Sequence, residues 1–139
     1  MNTLSYNNTT IISKKEIPNV MTVILNSDNI VEVKWEDNLA EIEKKHLIML
    51  KEIVRELGKG KKMLVYMYST NFTSITSEAR IYASTKEAGE FTMANAILVD
   101  SLSKKLLFNF FMKINTSPIQ TKGFNSPESA MNWLKEWQF

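Results

Sequence analysis

The stretch VMTVILNSDNIVEVKWE, residues 20–36, decides how the fold begins. Two runs of β-branched and apolar residues, 20–26 and 30–36, flank the triplet SDN at 27–29, which is rich in turn-forming side chains. This arrangement predicts an antiparallel β-hairpin. In the second run apolar and charged residues alternate, which is typical of a strand with one face on the core and the other in water. We therefore expect that strand near an edge of the sheet.

Residues 1–18 precede the hairpin and are rich in Asn, Thr and Ser, with a proline at position 18. This composition predicts an irregular lead-in, with room for a short strand over residues 10–13. The folded domain is therefore expected over residues 19–139, without a second domain or an internal repeat.

Downstream of the hairpin, segments of helical and strand character alternate. The helical periodicity covers residues 39–57, 78–88, 101–115 and 127 onward, and the strand-like runs cover residues 63–68, 91–99 and 119–124. Asp37 or Asn38 is expected to cap the first helix, and Ser126 the last. The order β-β-α-β-α-β-α-β-α predicts a single-domain α/β fold with a mixed, mostly parallel sheet and a leading antiparallel hairpin.

Three stretches carry a family resemblance: residues 77–80 (SEAR), the run 94–111, and the ending GFNSPESAMNWL at 123–134. Together with the order of elements, they resemble the STAS-like proteins of bacteria, whose fold is that of the anti-sigma-factor antagonists. The resemblance covers about residues 20–138. It implies a STAS-like fold and, by analogy of fold, a cytoplasmic regulatory module that acts through protein contacts.

In the antagonist family, a serine at the start of the helix after the central strand is phosphorylated, which controls binding to an anti-sigma kinase. The matching segment here is TSITS at 73–77, where the family carries Asp-Ser followed by Gly. The candidates for a phosphorylation site or a ligand site are Thr73, Ser74, Thr76, Ser77 and Arg80. A helix N-terminus favours anions. The alternative is that the hydroxyls are ordinary helix caps and turn formers.

The helix over 101–115 has apolar residues on more than one face, which indicates burial on more than one side. Phe108, Phe111, Trp133 and Trp137 are therefore candidates for one interaction surface, with core packing as the alternative. The only histidine, His46, lies on or beside the apolar stripe of the first helix. We expect it to be a boundary residue with one satisfied nitrogen.

Composition excludes several classes of function. The net charge of +2 is too small to indicate nucleic-acid binding, and the chain has no cysteine. No secretory signal or membrane span is visible, and no catalytic residue, metal site or cofactor motif is recognised. We therefore expect a cytoplasmic, non-enzymatic regulatory or interaction module that binds a protein partner or itself. The alternative is a domain that binds a small apolar or anionic ligand, or a lipid headgroup, through the loop 69–77 and the helix 101–115.

Overall fold

The structure is a computed structural model and describes residues 9–114 and 117–137. In that part of the chain, eight strands and four helices follow one another. They are β1 (Ile11–Ile17), β2 (Met21–Asn26), β3 (Ile30–Trp35), β4 (Glu41–Ile42), α1 (Lys44–Leu57), β5 (Met63–Ser69), β6 (Ser74–Ile75), α2 (Ser77–Ala83), β7 (Thr92–Leu98), α3 (Leu102–Ile114), β8 (Gln120–Phe124) and α4 (Pro127–Lys135).

Six strands form the main sheet in the order β1-β2-β3-β5-β7-β8. β1, β2 and β3 are antiparallel, and β3, β5, β7 and β8 run parallel to one another. The predicted hairpin is confirmed, and its turn has a clear local cause. The Asn26 side-chain oxygen accepts backbone N–H groups of Asp28 and Ile30 at 2.9 and 3.0 Å, while Asn29 takes a left-handed φ of 64°. The mixed, mostly parallel sheet is therefore as the sequence predicts.

The expectation of an irregular lead-in is wrong over Ile11–Ile17, which form β1 at the edge of the sheet. Alternation is weak in this segment because the strand is exposed along much of its length. An edge strand makes its ladder hydrogen bonds with one neighbour and has little core to cover, so its sequence carries little apolar signal. Residues 1–8 of the lead-in lie outside the described residues.

The edge position expected for the second hairpin strand is also wrong. β3 lies inside the sheet, between antiparallel β2 and parallel β5. Its Glu32, expected in water, is only 5% exposed, and the Asn26 side-chain amide donates to its carboxylate at 2.7 Å. A buried carboxylate is tolerated where it is hydrogen-bonded, so the alternating pattern here marks a polar interaction below the surface.

Helices cover both faces of the sheet. α4 packs on one face, where Ala94 and Ala96 of β7 are fully buried and leave room for the buried Leu134. α1 packs on the other face, where its Ile53 joins a cluster that includes Val65 of β5. α2 and α3 lie on the α1 side, around a cavity described below.

Two helix boundaries differ from the sequence expectations. α1 begins at Lys44, with Glu43 as its N-cap, because residues 41 and 42 are used in β4. The predicted capping by Asp37 or Asn38 is therefore wrong. α2 ends at Ala83, five residues before the predicted end. The Ser84 hydroxyl donates to the backbone carbonyl of Ile81 at 2.7 Å, which supports the turn that stops this helix.

Candidate functional site

The loop after β5, residues 69–77, is fastened to the loop after β3 by a small second sheet. β4 and β6 pair in parallel, with Ile42 opposite Ile75. The backbone N–H of Thr76 then donates to the Ile42 carbonyl at 3.1 Å. The residues predicted as a ligand or phosphorylation site therefore lie on an anchored segment at the carboxyl ends of β3 and β5.

The side chains at the start of α2 have partners within the chain. Thr76 is the N-cap, and its hydroxyl accepts the Ala79 backbone N–H at 3.1 Å. The Arg80 guanidinium donates to the Ser77 hydroxyl at 2.9 Å and to the Ile75 carbonyl at 2.8 Å. These are the capping and turn interactions that the sequence left open as the alternative to an anion site.

The other two hydroxyls of the predicted site differ from each other. The Ser74 hydroxyl lies 3.4 Å from the Ala40 carbonyl and supports the join between the two loops. Thr73 lines the cavity beneath α3. The structure therefore brings all five predicted residues onto one loop and helix start, while their role in phosphorylation or ligand binding stays a prediction.

α3 has an unusual relation to the rest of the domain, because none of its thirteen residues is buried. Four large apolar side chains recur at every fourth position along it and are half or more exposed. We call them the outer α3 row: Leu102 (72% exposed), Leu106 (61%), Phe110 (51%) and Ile114 (63%). Scattered apolar side chains are normal on a surface, but a contiguous row on one helix marks a contact site.

The opposite side of α3 faces the sheet. Lys104, Leu107, Phe108 and Phe111 follow the i, i+3, i+4, i+7 spacing of one helix face, and all four line the cavity. The helix is thus apolar on both sides, as predicted, but the expected burial on more than one side is not observed within the described part of this chain, because the outer α3 row is exposed. Phe108 and Phe111, however, point to the inner side and do not belong to the exposed row.

The predicted grouping of Phe108 and Phe111 with Trp133 and Trp137 is corrected by this arrangement. The two tryptophans belong to the α4 side of the sheet, where the Trp133 ring lies 5.5 Å from the Phe124 ring and 5.9 Å from the Trp137 ring, centroid to centroid. The sheet separates the two pairs because α3 and α4 cover opposite faces of it. Four residues that look alike in sequence therefore do not form one surface.

Three contacts hold α3 above the sheet. The Lys104 ammonium donates to the Ser69 carbonyl at 2.6 Å and to the Asp100 carboxylate at 2.8 Å, joining the first turn of α3 to the ends of β5 and β7. Phe108 lies against Gly123 of β8, so closely that an added Cβ there would be 3.1 Å from the ring. The Arg80 guanidinium lies 5.7 Å from the centre of the Phe110 ring.

Between these contacts the structure leaves a cavity of about 230 Å³. Aliphatic and aromatic side chains dominate its wall, and they come from α1, β5, β7, α2 and α3. Representative members are Leu50, Val65, Ile97, Tyr82, Leu107 and Phe111. Lys51 and Lys104 are the charged residues among the described lining residues, and no Asp or Glu lines the cavity there.

Two tyrosines near this region have perturbed acidity. Burial raises the pKa of the Tyr82 hydroxyl, although the nearby Lys51 charge works in the opposite direction. Burial likewise raises the pKa of Tyr68, and the Glu32 and Glu36 carboxylates raise it further. Both residues are among those lining the cavity, although the Tyr68 ring stacks on Tyr66 on the α4 side of the sheet. Both phenols are neutral at neutral pH, so neither acts as an anion.

Sequence reasoning missed Lys104 and Gly123 as positioning residues. By its spacing, Lys104 shares the inner face of α3 with three apolar residues. A lysine on an otherwise apolar helix face indicates, already from the sequence, a side chain whose charge is bound by the protein. Gly123 carries no such signal, because only the folded structure brings Phe108 and Val99 each within 3.1 Å of a Cβ added there.

His46 has one satisfied nitrogen, as expected, but it is buried and does not lie at the boundary of the core. It is 4% exposed, and its Nδ1 accepts the Glu43 backbone N–H at 3.0 Å at the start of α1. Over residues 9–114 and 117–137, no group of three or more His, Cys, Asp or Glu side chains is placed to hold a metal ion. Nor does any helix in that part of the chain combine the length and apolar character needed to span a membrane.

The chain matches one family model, and its fold is similar to that of a solved structure. A family model described as "Domain of unknown function (DUF7793)" matches residues 24–138. Among solved structures, an uncharacterised protein of the DUF3478 family from Shewanella loihica PV-4, described as having a SpoIIAA-like fold, is similar over 95% of this chain and 99% of its own, with a TM-score of 0.52 and 12% identity. That likeness confirms the predicted STAS-like fold. No curated protein matches the chain.

Proposed function

The chain belongs to the family described as a domain of unknown function (DUF7793), and we propose that it is a non-enzymatic regulatory module that binds a protein partner through the outer α3 row. The main support for partner binding is the outer α3 row, whose four large apolar side chains have 51–72% of their surface in water. The fold family supports an interaction role only by analogy, so the proposal rests on the exposure of the outer α3 row.

The row offers enough free energy to support specific association. Complete burial of a large apolar side chain is worth about 1.5–3 kcal/mol. Burying the part of these four side chains that is exposed would yield about 4–7 kcal/mol before the costs of association. Closely spaced apolar anchors of this kind dominate the energetics of many interfaces.

Charge favours a partner with an acidic rim. α3 contains Lys104, Lys105 and Lys113 and has no Asp or Glu between Leu102 and Ile114. Two copies that met row to row would bring exposed lysines of one sign together, which is unfavourable. A different protein with an apolar groove and surrounding carboxylates is complementary to this helix.

The helix is less suited to lying on a membrane. Interfacial helices combine an apolar face with a strongly polar one. On α3, Leu107, Phe108 and Phe111 occupy the side opposite the row and face the cavity. Both faces are thus apolar, which is typical of a helix set between its own domain and a protein surface.

The test is affinity capture from the native host with the intact chain and two charge variants. Leu106→Glu places a carboxylate in the row, and Ile12→Glu is the matched control because Ile12 is 60% exposed on β1. The captured protein is then purified and titrated against each variant. We expect the unmodified chain and Ile12→Glu to bind alike and Leu106→Glu to bind at least tenfold more weakly. Equal binding by all three chains, self-association alone, or binding to anionic vesicles alone would contradict the proposal.

A second candidate function, binding of a small apolar ligand, is supported by the cavity beneath α3. Binding to the folded state alone would raise the melting temperature, which gives a simple screen.

A further inference from the structure

We propose that the cavity beneath α3 binds a medium-chain carboxylate, with an unbranched tail of about eight carbons inside and its anionic head at Lys104. The inference rests on the second candidate function, since it names the ligand class for that site. It does not depend on the protein partner proposed for the outer α3 row.

The first support is that the space is open although the surrounding side chains are apolar. Protein interiors are packed like organic crystals, and few voids in them exceed the size of one water molecule. Here about 230 Å³ remain between α3 and the sheet. The cavity is partly open to solvent, and an apolar ligand would cover its largely apolar wall and make dispersion contacts with it.

The second support is that α3 is held in a way that keeps the space open. Lys104 fixes its first turn to Ser69 and Asp100. Phe108 approaches β8 further along, where its ring would lie 3.1 Å from a Cβ added at Gly123. Between these two points Leu107 and Phe111 face the cavity without becoming buried. The helix cannot settle onto the sheet unless one of the two contacts is lost.

The third support is the sign of charge at the wall. Lys51 and Lys104 have side chains that are only 14% and 10% exposed, and both line the cavity. Lys51 is paired with Glu90 at 3.1 Å. The Lys104 ammonium is paired with the Asp100 carboxylate at 2.8 Å and donates to the Ser69 carbonyl at 2.6 Å, which leaves the third of its N–H groups for a ligand head. With no carboxylate among the described lining residues, the wall favours an anionic head over a cationic one.

The volume sets the length of the tail. An apolar cavity of about 150 Å³ holds benzene, which has six carbons, so a cavity of about 230 Å³ suits a ligand of roughly eight or nine carbons. Octanoate matches this size, whereas a sixteen-carbon chain would have to leave part of its tail in water. Octanol has the same tail without the charge and therefore separates the two parts of the proposal.

The experiment titrates the intact chain with octanoate, octanol and hexadecanoate by calorimetry and by changes in melting temperature. Ala83→Leu narrows the cavity from the α2 side, and Ala40→Leu, an exposed site that does not line it, is the control. If Ala83→Leu does not fold, Ile97→Phe narrows the same space from β7. Lys104→Met removes the proposed anchor, and Lys105→Met removes an exposed neighbouring charge as its control.

We expect octanoate to bind and to raise the melting temperature, with octanol at least tenfold weaker. Because Lys104→Met also releases the first turn of α3, it should weaken both ligands, and octanoate at least tenfold more than octanol. Lys105→Met and Ala40→Leu should leave both unchanged. An equal loss for octanoate and octanol in Lys104→Met would overturn the carboxylate assignment. Loss of binding in the narrowed cavity would locate the site. Equal affinity for octanoate and octanol, or an unchanged affinity in Lys104→Met, would overturn the carboxylate assignment. Binding of neither compound would overturn the second candidate function as well.

Discussion

The outer α3 row should contribute little to stability, although its residues are as apolar as those of the core. Leu106→Ala and Leu134→Ala remove the same atoms from two helices, at positions that are 61% and 0% exposed. At the buried site the lost burial and the resulting cavity should cost about 3 kcal/mol. At the exposed site only about two fifths of the side chain is covered and no cavity forms, so the cost should be about 1 kcal/mol or less.

Urea denaturation of the two variants and the unmodified chain measures this difference. With a slope of about 1.5 kcal/mol per molar, Leu134→Ala should lower the midpoint by about 2 M, and Leu106→Ala by at most about 0.7 M. The slope should be the same in all three chains. A loss of 2 kcal/mol or more in Leu106→Ala would show that the row is covered by the chain's own residues. The row would then not be available to a partner.

Three further effects should be measurable by denaturation or melting. Gly123→Ala places a Cβ 3.1 Å from both the Phe108 ring and a Val99 methyl group and should lower the free energy of unfolding by about 1–3 kcal/mol, with partial recovery when Phe108→Leu is added because Val99 remains. Ser126→Ala removes the cap that accepts the Ser129 N–H at 3.2 Å and should cost about 1 kcal/mol. Because burial raises the pKa of Tyr68 in the folded chain, the unfolded chain loses that proton first. The free energy of unfolding should therefore fall as the pH rises above about 10, and less so in Tyr68→Phe. A Tyr68→Phe chain with an unchanged alkaline profile would contradict that reasoning.

The sequence was most informative where periodicity and turn chemistry agree. The hairpin over residues 20–36 has β-branched runs around the predicted turn at 27–29, where Asn29 takes a left-handed φ of 64°. The cap at Ser126 is likewise in place, and its oxygen accepts the Ser129 N–H. Such signals act on residues close in sequence, so they can be recognised without knowing which elements pack nearby in the fold.

Predictions from the sequence were wrong where a neighbouring strand determines the burial or pairing of a residue. Glu32 reads as a water-facing residue, yet it is buried because β5 extends the sheet beyond β3 and Asn26 meets the carboxylate. β1 has little apolar alternation because it lies at an edge. α1 begins later than its periodicity suggests because residues 41 and 42 pair with β6. Each error concerns a long-range contact that composition and spacing do not encode.

The candidate site shows the same division. The apolar character of α3 and the hydroxyls of the loop 69–77 are visible in the sequence. Which apolar residues face outward is not visible, because a helix that is apolar on both sides gives no preferred orientation. The structure resolves this by placing Phe108 and Phe111 inward and Leu106 and Phe110 in the exposed row.

Site-specific photocrosslinking in the native host tests the outer α3 row most directly. A photoreactive phenylalanine analogue is placed at position 106 in the row or, as a control, at position 12 on β1, where exposure is nearly the same. We expect a covalent adduct with one distinct protein from position 106 and none with that protein from position 12. An adduct only with lipid or with a second copy of this chain, the same adduct from both positions, or no adduct from position 106 would contradict it.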